Sequence, residues 1–190
     1  MAVSRDGEHG ARTDTRANGH GRRTGSVLCV MRAEACPTCG RPVDEHDRHI
    51  RFQRPDVVFA MSQEELAGRV WGDDPLLQVE DVGCFIRTLL PVRLTGGYAV
   101  TFGVWLLVAP EVLHHASSVW HAPAYVDLEI EGHLANALPR WGGDVVGRHV
   151  WTEVRDADEI PYVSASEDPL VTSLLTDEWA HDEVLPHLPV

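Results

Sequence analysis

The chain of 190 residues is acidic, with a formal net charge of −13 at pH 7, and its length suits a single domain whose core needs no disulfides. A surface of this sign repels phosphate backbones and anionic lipid, which argues against nucleic-acid binding and favours a basic protein partner. No apolar run approaches the roughly 18 residues of a membrane span, and none is long enough for an export signal. We therefore expect a cytoplasmic protein whose thiols stay reduced.

The composition divides the chain into four segments. Residues 1–30 are rich in Arg and Gly and hold scarcely any large apolar side chain, which predicts a disordered leader. A segment with a Cys pair, 31–50, follows as a metal knuckle. Residues 51–180 carry the globular pattern, and 181–190 is predicted to be a flexible tail.

The first half of the globular segment mixes strand and helix patterns. A short strand is predicted over 57–60, and Ser62-Gln63-Glu64-Glu65 is a capping box that opens a helix. Apolar runs joined by turns then predict an antiparallel meander. These runs are 76–79, 84–90 and 99–108, the last two joined by Thr95-Gly96-Gly97.

The second half adds two clear helices. One begins at Pro110 and ends before Pro123, and the other begins with Asp168 as N-cap and Pro169 in its first turn. Apolar and acidic residues alternate over 126–130, which predicts a half-buried strand. Because strands and helices mix without a regular βαβ rhythm, we predict one compact α+β domain, a mostly antiparallel sheet packed by two or three helices.

The sharpest local motif is Cys36-Pro37-Thr38-Cys39-Gly40, in which two thiolates are spaced to converge on one ion. Gly40 allows the backbone amides to turn towards the sulfurs. A zinc ribbon would add a second Cys pair about 15 to 20 residues further on, and the sequence has none there. His46 and His49 are then the nearest candidates for the other corners, and Cys29 is an alternative. The motif predicts a structural zinc site formed by Cys36, Cys39, His46 and His49.

Two other interpretations of the motif stay open. One is a turn that binds no metal. The other is a redox dithiol, which is less favoured because reactive pairs of this spacing usually lie at a helix N-terminus, whereas Gly40 and Pro42 follow here.

Several motifs occur in a characteristic order and spacing along the chain. They are Cys36-Pro37-Thr38-Cys39-Gly40, Phe85-Ile86-Arg87, Phe102-Gly103-Val104-Trp105, Gly132-His133-Leu134-Ala135-Asn136-Ala137-Leu138-Pro139 and Asp168-Pro169-Leu170. Together they resemble the bacterial domain-of-unknown-function family 2199, over about residues 34–175. The chain departs from the family at Asp168, where the family tends to have His, and at Cys84, where it tends to have an aromatic residue. The resemblance implies a compact prokaryotic domain led by a Cys pair and implies no established activity.

The preferred hypothesis of function is a non-enzymatic binding or regulatory protein whose acidic face meets a basic partner. Trp141 follows Leu138-Pro139-Arg140 on a predicted loop, and an exposed loop Trp is a candidate anchor for such a partner. Covering the core is the more frequent role of a Trp in this setting.

The alternative is an enzyme whose metal or polar site is assembled from Arg87, His133, Asn136 and Asp168, which lie in the family-like segments. An Arg in the middle of an apolar strand must either face solvent or find a carboxylate. Convergence of the four side chains on one pocket would favour the enzyme, and their separation would remove its site.

Overall fold

The structure is a computed structural model that describes residues 35–72 and 74–189. The leader predicted over 1–30 and the alternative ligand Cys29 lie outside the described residues. The part of the chain from 35 onward belongs to one compact unit. Its strands are β1 (Arg48–Arg51), β2 (Val70–Gly72), β3 (Leu76–Val79), β4 (Gly83–Leu94), β5 (Tyr98–Val108), β6 (Glu131–Leu134), β7 (His149–Glu153), β8 (Tyr162–Ala165) and β9 (Glu178–Trp179). Its α-helices are α1 (Asp56–Phe59), α2 (Gln63–Leu66), α3 (Pro110–Val119), α4 (Pro169–Thr176) and α5 (His181–Val184).

The long strands β4 and β5 form the longest pairing in the sheet. They pair antiparallel from Cys84 opposite Val108 to Leu94 opposite Tyr98. The turn between them includes Gly96 at φ 87° and Gly97 at φ 81°. Glycine adopts this left-handed conformation at little steric cost, which lets the chain reverse tightly.

The sheet closes on itself. Strands β4 to β8 pair antiparallel in sequence order, and β8 returns to β4 through the parallel pair Leu89 and Tyr162. Outside this ring, β3 and β2 extend the sheet antiparallel from β4, while β1 joins β5 and β9 joins β4 in parallel. The architecture is α+β with sheet in the majority.

Alternation along β4 and β5 creates two apolar faces. Ile86 and Leu106 belong to the main core, whereas their chain neighbours Phe85 and Trp105 belong to a smaller cluster on the opposite face. Helix α3 packs on the main core through Leu113 and Ala116, and α4 packs there through Val171 and Leu174.

Some local predictions were wrong. The apolar run 57–60 is not a strand, because Asp56–Phe59 forms a helical turn directly after Pro55. The capping box at Ser62 is present, yet its helix ends at Leu66 and Val70 begins β2. The alternating run 126–130 is also not a strand, since Pro123–Asp127 is a 3₁₀ helix that leaves the chain irregular up to β6.

The segment 181–190, predicted to be a flexible tail, is instead structured through Pro189. It forms α5 and a 3₁₀ turn, Leu185–His187. Val184, Leu185 and Leu188 are buried in the main core, so the segment is part of the domain. Among the helices of residues 35–72 and 74–189, none is long and apolar enough to cross a bilayer.

Candidate metal centre

The Cys pair lies in a tight turn at the start of the described chain. Cys36 N donates to Arg41 O, and Gly40 N donates to Cys36 O, each at 2.8 Å. Gly40 has a φ of 72°, a conformation that residues with a Cβ rarely adopt. The backbone N–H groups of Cys39 and Thr38 lower the pKa of the Cys36 thiol to about 6, so the turn favours the thiolate, which is the form that binds metal.

His46 follows the turn and faces the sulfurs. The 3₁₀ helix Val43–Glu45 ends at His46, whose side chain is fully buried. Its Nε2 lies 3.2 Å from Cys39 Sγ, and its Nδ1 donates to Pro42 O at 3.0 Å. A proton on Nδ1 leaves the lone pair of Nε2 directed at the thiols.

His181 reaches the same place from the far end of the domain. Strand β9 pairs with the end of β4, which brings the first residue of α5 beside Thr95 in the β4–β5 turn. His181 Nδ1 lies 3.0 Å from Thr95 O, and His181 N donates to Thr95 Oγ1 at 3.1 Å. His181 Nε2 then lies 3.5 Å from Cys36 Sγ, 145 residues away in sequence.

These four side chains have the donor types and spacing of a tetrahedral zinc site. The ligand atoms of Cys36, Cys39, His46 and His181 all lie within 4.8 Å of one another. With Zn–S near 2.3 Å and Zn–N near 2.0 Å, a tetrahedron has edges of about 3.3–3.8 Å, and the two S···N distances of 3.2 and 3.5 Å are close to that range. Both His rings also have the backbone partner on Nδ1 that orients metal-binding imidazoles.

The predicted ligand His49 is not part of this cluster. It lies in β1, where Ile50 is the buried residue and His49 is exposed. Successive strand residues face opposite sides, so the strand that buries Ile50 turns His49 away from the interior. His181 is the residue that sequence reasoning missed. The apolar spacing of Val184, Leu185 and Leu188 was the signal that its segment is ordered.

The four residues of the predicted polar pocket do not converge. Arg87 is buried in β4, where its Nε lies 2.5 Å from Asp74 Oδ1. His133 is exposed on β6 and lines a different cavity, together with His149.

The other two have structural roles. Asn136 is fully buried; its Oδ1 accepts from Trp105 N, and its Nδ2 donates to Arg54 O and Asp56 Oδ1, each at 2.9 Å. Asp168 caps α4 by accepting from the first backbone amides of that helix.

Trp141 is a core residue and not an exposed anchor. It is 8% exposed and belongs to the main core. Its ring meets those of Phe102 and Trp179 edge to face, at centroid distances of 6.2 and 5.2 Å. The loop places the indole over the core because apolar area at that end of the sheet needs covering.

Comparison with known proteins identifies one family. A family model described as an uncharacterized protein conserved in bacteria, DUF2199, matches residues 35–175. Neither a curated protein nor a solved structure matches the chain. The matched region contains three of the clustered side chains and ends before His181. Because the match covers more than half of the sequence, the chain belongs to the DUF2199 family.

Proposed function

We propose that the chain is a non-enzymatic binding module with a structural zinc ion, which is held by Cys36, Cys39, His46 and His181 and fixes the Cys turn and α5. The observation that supports this proposal is the closed donor set, in which four protein side chains supply four ligand atoms at one point. Structural zinc sites are closed in this way, whereas catalytic sites keep one position for water or substrate. A role in folding therefore suits the site better than a role in chemistry.

The ion would link two distant parts of the chain. Cys36 lies at the start of the described domain and His181 near its end, and the two are buried side by side. Any ligand that binds only the folded state stabilises it by mass action, by about 4 kcal/mol when its concentration is a thousand times Kd. Zinc would thus lock the knuckle and α5 onto the β4–β5 turn.

The surface supports a basic protein as partner. The net charge of −13 favours approach of a cationic surface. Two aromatic side chains are also exposed, Phe59 to 74% and Trp71 to 51%. Their chain neighbours Val58 and Gly72 line one cavity, so both aromatics lie in the same region. Exposed aromatics within a charged surface are typical of binding anchors.

Elemental analysis tests the metal. Protein purified without chelator should contain close to one equivalent of zinc, and Cys39→Ser should lose it. His181→Ala should lower zinc affinity strongly, while the matched control His49→Ala should retain zinc like the parent. Metal-free protein with both thiols free to alkylation would contradict the zinc site, and equal losses in the two His variants would contradict the ligand set.

Affinity capture tests the partner. The chain should retain a basic protein from its native host at low salt and release it as salt rises, because surface charges are screened. Trp71→Ala should reduce capture, while His133→Ala, also exposed, should not. If no protein is enriched over a charge-matched control, the binding role loses its support.

A further inference from the structure

Arg87 is a buried charge in the middle of β4. Its side chain is 4% exposed, and its guanidinium lies over the Trp105 ring, 4.7 Å from the centroid. Asp74 is its carboxylate partner. Burial lowers the pKa of Arg87 to about 10, so the group is still cationic at neutral pH.

The guanidinium of Arg87 has N–H groups without a hydrogen-bond acceptor among the described residues. Nη2 reaches Gln53 O at 3.4 Å, but within residues 35–72 and 74–189 neither Nη1 nor Nε has a partner in hydrogen-bond geometry, and Nε is held by Asp74 only as an ion pair. Buried polar groups in native proteins are nearly always paired, so an unpaired one calls for an explanation. A ligand that accepts a hydrogen bond from Nη1 would provide that explanation.

Arg87 is one of the residues that line a cavity of about 310 Å³. Gly103, which also lines this cavity, lies close to the guanidinium. A Cβ built on Gly103 would lie 3.8 Å from Arg87 Nη1 and 3.7 Å from Arg51 Cα. Gly103 is in the interior of β5, paired with Leu89 and Arg51. Glycine inside a strand often marks a point where a ligand or another backbone approaches closely.

The charges around the cavity favour a monoanion. Arg51 and Arg87 both pair with the single carboxylate of Asp74, which leaves one positive charge among these three groups. That sign is opposite to the net charge of the chain. An anion with one negative charge would balance the group, whereas a dianion would leave an excess.

The remaining lining is largely apolar and small. Aliphatic side chains and proline line the cavity beside Arg87, with Thr101 and His49 as further polar lining residues. The apolar lining residues are Ile50, Pro75, Leu89 and Ile160. The cavity lies near the lower end of the roughly 300–1,000 Å³ range of ligand pockets, which suits a compact organic molecule.

We propose that this cavity binds a small monocarboxylate with an apolar body, whose carboxylate accepts hydrogen bonds from Arg87. The planar guanidinium matches a carboxylate in geometry and charge, and the aliphatic wall takes the apolar end. None of the residues that line this cavity belongs to the Cys36, Cys39, His46 and His181 cluster.

Titration with benzoate, followed by ¹H–¹⁵N NMR, tests the site. Benzoate should shift the amide signals of Thr101 and Gly103 and the Arg87 Nε–H signal, saturably. Its neutral counterpart benzamide should bind at least tenfold more weakly. Gly103→Ala fills the space with a Cβ in ordinary contact and should weaken benzoate at least tenfold while the spectrum stays folded.

Charge variants complete the test. Arg87→Met should abolish binding, and Arg155→Met, a matched exposed position, should leave it unchanged; if Arg87→Met fails to fold, Gly103→Ala decides. Absence of saturable shifts with benzoate and isobutyrate would overturn the proposal, as would equal binding of benzamide. Tighter binding of inorganic phosphate would overturn the assignment to carboxylates.

Discussion

Asn136→Leu should lower the stability of the fold, because Asn136 has a structural role and is not part of the candidate metal centre. The amide of Asn136 joins three parts of the chain through its hydrogen bonds to Trp105 N, Arg54 O and Asp56 Oδ1. Leu has a similar length and no polar atoms. The variant therefore removes all three bonds while keeping the site filled.

The magnitude follows from which partners water can reach. Trp105 is buried inside the sheet, so its N–H would be left unpaired, at about 1–3 kcal/mol. Arg54 and Asp56 are exposed residues, so water can take the place of the lost Asn136 amide as their hydrogen-bond partner. Each of these two bonds then costs only its net contribution to stability, about 0.5–1.5 kcal/mol. The sum is about 2–6 kcal/mol, or roughly 4–24 °C in Tm for a domain of this size.

Urea unfolding followed by tryptophan fluorescence measures the effect. The midpoint should fall while the slope with denaturant stays constant. In a double-mutant cycle with Asp56→Ala the two losses should be less than additive, since they share a bond. A change within about 0.5 kcal/mol, in the range of ordinary surface substitutions, would refute the structural role of Asn136.

Three further outcomes are expected. In the same urea assay, Trp141→Ala should lower the free energy of unfolding by about 3–5 kcal/mol, as for a large buried side chain. A change below about 1 kcal/mol would contradict the burial of Trp141. Hydrogen bonds from Ser62 hold the pKa of Glu65 below its usual value, so its stabilisation is present above about pH 4.3 and is lost as pH falls through the folded-state pKa. Thermal unfolding across pH should therefore show Glu65→Gln converging on the parent at low pH, and a constant difference at every pH would contradict this. Chelation of zinc should raise hydrogen exchange over 36–46 and 179–182 while β4 and β5 stay protected, and uniform loss of protection would show that the ion holds the whole domain.

The candidate metal centre was predictable only where its parts are close in sequence. Cys36, Cys39 and His46 lie within eleven residues, and one turn and one 3₁₀ helix bring them together. His181 reaches them through the pairing of β9 with β4, a long-range contact that spacing along the chain does not encode. His49 was predicted as the remaining ligand, but it is exposed in β1, on the side of the strand opposite to buried Ile50.

Other outcomes also depended on whether the contacting residues are close in sequence. The sequence left Arg87 either solvent-facing or paired with a carboxylate, and the choice of Asp74 depends on how β3 and β4 pair. A four-residue apolar run such as 57–60 has no periodicity that separates strand from helix. Asp168 and the capping box at Ser62 were recognisable because capping depends on neighbours within three residues.

Zinc K-edge X-ray absorption on the purified chain would show which atoms hold the proposed zinc ion. We expect a first shell of two sulfurs near 2.3 Å and two nitrogens near 2.0–2.1 Å, with outer-shell scattering from two imidazoles. His181→Ala should reduce the imidazole scattering, and His49→Ala should leave the spectrum unchanged. A first shell with four sulfurs, or one dominated by water oxygen, would contradict a closed site formed by Cys36, Cys39, His46 and His181.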